Sequence, residues 1–140
     1  VSGNVIFDLE SGDAQALVQS VRELLRSSFG FDEPWFVRDL EILRTLVNDD
    51  PFTDAPEDDI YEQCITFLPD APLPWPESPL RSSRNDVEIF ARTTTEAFSI
   101  TRRIAGKSGY ATALLERIFK IEVTTRNWNT IRRIVGKFGD

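Results

Sequence analysis

Five prolines fall within the eleven residues from Pro69 to Pro79. Proline fixes φ and lacks an amide donor, so this run can be neither helix interior nor central strand. It divides the chain into two stretches whose regular elements must form on either side of it. Pro-rich runs can serve as ligands for aromatic grooves. Trp75, in the middle of this one, favours a segment that folds back and packs on its own domain.

On the N-terminal side, hydrophobic periodicity sets the elements. Val5-Ile6-Phe7 reads as a strand, Ser11-Gly12-Asp13 as a turn with capping residues, and Leu17, Val18, Val21, Leu24, Leu25 and Phe29 as one face of a helix closed by Gly30. Burying those side chains contributes roughly 1.5–3 kcal/mol each against an ordering cost of about 1–2 kcal/mol per residue. That helix needs a sheet to lie on. Pro34-Trp35-Phe36-Val37-Arg38 reads as a second strand, with Pro34 at its start where a missing donor matters least. Asp39 can cap a second helix lined by Leu40, Leu43, Leu46 and Val47, and Ile60 to Leu68 is rich in β-formers.

Beyond the prolines, Asp86 to Ala91 and Ala97 to Thr101 predict an antiparallel hairpin joined near Thr93-Thr94-Thr95. A helix follows with Leu114, Leu115, Ile118 and Phe119 on one face, then a last strand over Ile121-Glu122-Val123-Thr124. The final helix carries Trp128, Ile131, Ile134, Val135 and Phe138 at helical spacing, with Arg132, Arg133 and Lys137 on the other side. Asn127 and Asn129 are both candidates to cap it.

The chain has no histidine. That excludes Ser-His-Asp and Cys-His catalysis and any His-ligated zinc site, and leaves neutral-pH acid–base work to shifted carboxylates or lysines. The single cysteine, Cys64, lies mid-strand and reads as a buried structural thiol suited to a reducing cytoplasm. No apolar run is long enough to cross a bilayer. The acidic loop from Asn48 to Asp59 lacks the alternating oxygen ligands and glycine of a calcium loop. No metal or cofactor is expected.

Net charge is −7, but residues 1–80 hold 17 acidic and 4 basic side chains, and residues 81–140 hold 6 and 12. One reading is a basic face for nucleic acid or phosphate; the other is two halves that complement each other within one molecule or across a dimer. An overall acidic chain is a poor non-specific nucleic-acid binder, which favours the second. Gly106-Lys107-Ser108 suggests a phosphate loop, but Thr101 stands where the pattern needs glycine. The remaining lead is an anion site: Arg126 beside the helix N-terminus with Asn127, Trp128 and Asn129, and Arg102, Arg103 and Lys107 converging on it. The plainer alternative is a cap, a core tryptophan and an arginine paired with a carboxylate.

Ser2-Gly3-Asn4-Val5-Ile6-Phe7, Phe29-Gly30-Phe31 and above all Thr125-Arg126-Asn127-Trp128-Asn129-Thr130 resemble the bacterial family called domain of unknown function 1697. The Pro-rich segment and the run from Arg81 through Lys107-Ser108-Gly109-Tyr110 are similar to one branch of it. The resemblance implies an α+β fold of ferredoxin-like halves, with mixed or antiparallel sheets and helices packed on one face, and no established activity. It also implies a strand–helix–strand ahead of Ser-Gly-Asn, in keeping with the absence of methionine. Residues 1–48 would then form an incomplete N-terminal ferredoxin-like subdomain, and residues 49–140 a C-terminal α+β subdomain containing the Pro-rich connection 69–79. The open sheet edge would be covered by a second copy or a retained N-terminal fragment.

Together these features predict a soluble cytoplasmic protein acting through binding rather than catalysis, with a small-anion site. Two alternatives stand beside it: an enzyme on a phosphorylated or nucleotide substrate, and a nucleic-acid-binding module using the basic half.

Overall fold

A computed structural model describes residues 3–10, 12–77 and 79–139. Val1 and Ser2 of the Ser-Gly-Asn motif, Ser11 of the expected turn and Ser78 of the Pro-rich run lie outside the described residues. The chain forms two compact units, residues 1–37 and 38–140.

In the first unit, α1 spans Ala14–Phe29. Asp13 caps it by accepting from the Gln15 amide at 2.9 Å, and Gly30 ends it in the left-handed region at φ 67°, its N–H donating to the Arg26 carbonyl. The apolar stripe forms as periodicity requires, yet no α1 residue is buried, and Leu24 and Phe29 are 63% and 79% exposed. The expected strands over Val5–Phe7 and Pro34–Arg38 are not formed. A β-former becomes a strand only when a neighbour completes its hydrogen-bond ladder. Neither segment is a strand of the sheet.

The second unit runs α2 (Leu40–Asp49), a 3₁₀ turn (Pro51–Asp54), β1 (Ile60–Phe67), β2 (Leu80–Arg81), β3 (Val87–Arg92), β4 (Glu96–Arg102), α3 (Ala111–Phe119), β5 (Thr124–Asn127) and α4 (Trp128–Phe138). The five strands form one sheet in the order β2-β3-β4-β1-β5, every pairing antiparallel. The fold class is α+β. The sheet is antiparallel throughout rather than mixed, and β1 joins β2 with no helix between. That order departs from the β-α-β-β-α-β arrangement of a ferredoxin-like half.

Helices cover both faces of the sheet, correcting the expectation of one. Alternation along β4 shows this, because successive side chains point oppositely. Ala97 belongs to a core with Leu114 and Leu115 of α3. Phe98 instead meets Phe52 and Trp128, ring centroids 6.0 and 6.2 Å apart and edge-on. A register shift between Ile89 and Ala91 lets Phe90 join that second cluster, 5.5 Å from Phe52. The Pro-rich run does fold back: Leu73 and Trp75 pack against the α3 core, and Trp75 meets Phe119 edge-on at 4.9 Å.

Two arginines, Arg38 half-buried and Arg102 buried, fasten the strand ends. Arg38 donates to Glu96 Oε2 at 2.7 Å and to the carbonyls of Leu68 and Thr95 at 3.0 and 2.9 Å. Arg102 reaches Asp58 and Glu88 at 3.2 and 3.3 Å.

The last strand lies further along than Ile121–Thr124. Val123 is buried and Ile121 half-buried because both pack on the α3 core as the chain leaves that helix. Thr124 to Asn127 make the ladder instead, opposite Phe67 to Cys64. A hydroxyl chain locks this register: Thr125 Oγ1 lies 2.8 Å from Thr66 Oγ1 on β1 and 2.7 Å from Thr112 Oγ1 on α3.

Candidate functional site

The turn from β5 into α4 is abrupt. Asn127 is the last strand residue and also the cap, its Oδ1 accepting from the Asn129 amide at 2.9 Å. Trp128 is the first helical residue and only 2% exposed, 5.1 Å from Phe52. Cap and tryptophan together fix the start of α4 over the sheet.

With its start so pinned, α4 lies beside α2, and the two helices bound an open cleft of about 1040 Å³. Arg44 and Asn48 line it from α2, Asn127 at the helix entry, and Asn129, Arg132 and Arg133 from α4. Val47, Val135 and Gly136 supply an aliphatic floor. A Cβ built on Gly136 would meet no atom within 4 Å. Glycine inside a helix costs roughly 0.5–1 kcal/mol relative to alanine, and nothing in the packing here requires it. It leaves helix backbone bare at the cleft.

The charge is one-sided. Among the described residues no Asp or Glu lines the cleft. Arg44 is paired with Glu41 at 2.9 Å, while Arg132 and Arg133 are exposed and make no ion pair among the described residues. The positive end of the α4 dipole adds to the same field.

The residues singled out from the sequence are dispersed. Asn127 and Asn129 line the cleft; Trp128 supports it from the core. Arg126 sits one residue before the cap on β5, and its Nη1 donates to Thr124 Oγ1 at 2.8 Å and to the Thr125 carbonyl at 3.0 Å. Burial lowers its pKa from the ordinary arginine value. Arg102 is opposite Ile60 on β1, whereas Arg126 is opposite Ile65. Five residues of strand span about 16 Å, so these two do not meet on one anion.

Arg102 is committed elsewhere. Burial works against its charge, but hydrogen bonds and attraction from Asp58 and Glu88 outweigh that and raise its pKa. Arg103 stacks on Tyr61, its guanidinium carbon 4.1 Å from the ring centroid, and donates to the Tyr61 hydroxyl at 2.9 Å. Lys107 closes a tight turn with Ile104, the two exchanging backbone bonds of 2.7 and 3.1 Å across Ala105 and Gly106, both at positive φ. Ala105-Gly106 is thus a two-residue hairpin turn, and Gly106-Lys107-Ser108 does not form a phosphate cradle.

Cys64 is buried, its thiol pushed up to about 12 by burial, with the nearby Glu62 carboxylate adding to the shift. It stays protonated at neutral pH and is no nucleophile. Among the described residues, no three His, Cys, Asp or Glu side chains are grouped to hold a metal ion, and no helix is long and apolar enough to cross a membrane.

Sequence reading missed Arg44, Asn48 and Gly136, and gave Arg132 and Arg133 only the outer face of a helix. Nothing local to α2 announces that it lies beside α4.

No curated protein and no solved structure matches the chain. One family model does match it, over residues 1–98, which include α1, α2 and the sheet as far as Phe98 of β4. The Arg126-to-Asn129 signature lies beyond that span. With more than half of its length matched, the chain belongs to the family described as Protein of unknown function (DUF1697).

Proposed function

We propose that the chain is a non-catalytic binding domain whose α2–α4 cleft receives an anionic group. The observation that carries this reading is two exposed arginines, Arg132 and Arg133, near the N-terminal end of a helix, which among the described residues have no ion-pair partner and share the cleft with no carboxylate. Asn127 and Asn129 supply hydrogen bonds at the mouth, Trp128 holds the helix in place, and Arg126 adds positive charge from behind the cap. Arg102, Arg103 and Lys107 lie outside this cleft; Arg102 is buried in its ion pairs, and Arg103 and Lys107 act at most as a second, weaker cationic surface. A cytoplasmic setting belongs to the same proposal, supported by the single buried thiol.

The lining also weighs against the two alternatives. Among the described residues no aromatic side chain borders the cleft, so it offers no stacking platform for single-stranded nucleic acid. Among the described residues no His, Cys, Asp, Glu or Lys lines it, so it offers no ordinary general acid or base.

Thermal denaturation with inorganic phosphate and pyrophosphate, against chloride at matched ionic strength, tests this. Ligand at one hundred times its Kd stabilises by about 2.7 kcal/mol, and Arg132→Ala/Arg133→Ala removes the shift. Equal melting in all three salts sinks the proposal.

A further inference from the structure

Resting on the anion-binding reading of the α2–α4 cleft, we infer that its occupant is the acidic loop of a second copy of this chain. The loop begins where the cleft ends. Asn48 lines the cleft, Asp49 closes α2, and Asp54, Glu57 and Asp59 follow. These four carboxylates are exposed and engage in no ion pair among the described residues; Asp58, between them, is held by Arg102. Arg132 and Arg133 are likewise exposed and make no ion pair among the described residues. A single copy therefore leaves unpaired charges of both signs on adjoining surfaces.

Adjoining complementary patches are what a twofold interface requires, because each loop then enters the other copy's cleft and both contacts form together. The loop is stiff enough to do this at low entropic cost. Phe52, in its 3₁₀ turn, is buried against Phe90, Phe98 and Trp128, and Asp50 caps that turn through the Phe52 amide at 3.2 Å. The bare backbone at Gly136 gives the incoming loop room on the cleft floor.

Analytical ultracentrifugation of the full chain at low and high salt tests the inference. At about 20 mM salt the mass is twice 15.9 kDa, and at about 500 mM, where exposed charges are screened, it falls to 15.9 kDa. Arg132→Glu/Arg133→Glu is monomeric at low salt, as is Asp49→Lys/Asp54→Lys/Glu57→Lys; mixing the two restores the dimer mass. All positions are exposed, and circular dichroism checks that each variant folds. The salt dependence of the unaltered chain decides the matter even where a variant does not fold. A monomer at low salt, a dimer indifferent to salt, a mixture that stays monomeric, or a mass beyond two copies overturns the inference. A low-salt monomer that still gains stability from phosphate leaves the anion-binding reading standing; one that does not removes both.

Discussion

Replacing Arg38 by alanine removes a guanidinium that bonds Glu96 Oε2 at 2.7 Å and the carbonyls of Leu68 and Thr95, while lying 5.1 Å from the Phe67 ring. The Glu96 side chain is 3% exposed and keeps one other partner, the Thr93 hydroxyl at 3.0 Å. Thr95 retains the Leu68 amide at 2.8 Å, so its carbonyl is not orphaned. The dominant loss is a carboxylate left buried without its cation. Breaking a buried pair from one side costs about 3–5 kcal/mol, whereas replacing both partners by apolar groups of similar volume is often neutral. Urea denaturation is the assay. Arg38→Ala should lose about 3–5 kcal/mol, a drop of roughly 10–20 °C in Tm. Arg38→Met/Glu96→Leu should recover most of that loss. If Arg38→Ala costs less than about 1 kcal/mol, in the range of an exposed pair, then the pair is solvated and Arg38 does not fasten the strand ends.

Three further outcomes follow from the geometry. Trp128→Ala empties the contact among Phe52, Phe98 and the start of α4, and should cost about 3–5 kcal/mol by denaturant unfolding. Gly136→Ala meets open space and should raise stability by roughly 0.5–1 kcal/mol in the same assay. The Asp58 carboxyl is held below its ordinary pKa chiefly by its hydrogen bond from Arg102. Its contribution is therefore present above the unfolded pKa near 4 and lost as pH falls through the lowered folded value. Melting followed from pH 6 downward should fall less steeply in Asp58→Asn than in the unaltered chain.

What could be read from the sequence was local. Asp13, Asp39 and Gly30 announce their helix ends because capping chemistry depends on neighbours within four residues. The β3–β4 hairpin is legible for the same reason, its strands being joined by a short turn. Strand pairing at a distance was not. Val5–Phe7 and Ile121–Val123 have β-forming side chains, but one segment finds no ladder and the other is consumed by packing on α3. The true edge strand, Thr124 to Asn127, is polar and is set by a threonine hydroxyl chain that no periodicity reveals. At the site, the helix entry at Asn127 and the core role of Trp128 follow from residue type. The cleft does not, since it needs Arg44 and Arg133 brought side by side from helices more than eighty residues apart in sequence.

Phosphate titration followed by two-dimensional ¹H–¹⁵N NMR, including the arginine Nε–H signals, tests the central claim most directly. Saturable shifts at the Asn129 and Thr130 amides and at the Nε–H groups of Arg132 and Arg133 are the result that an anion seated in the α2–α4 cleft produces. Shifts confined to Arg103, Lys107 and their neighbours, or none above those given by chloride, would contradict it.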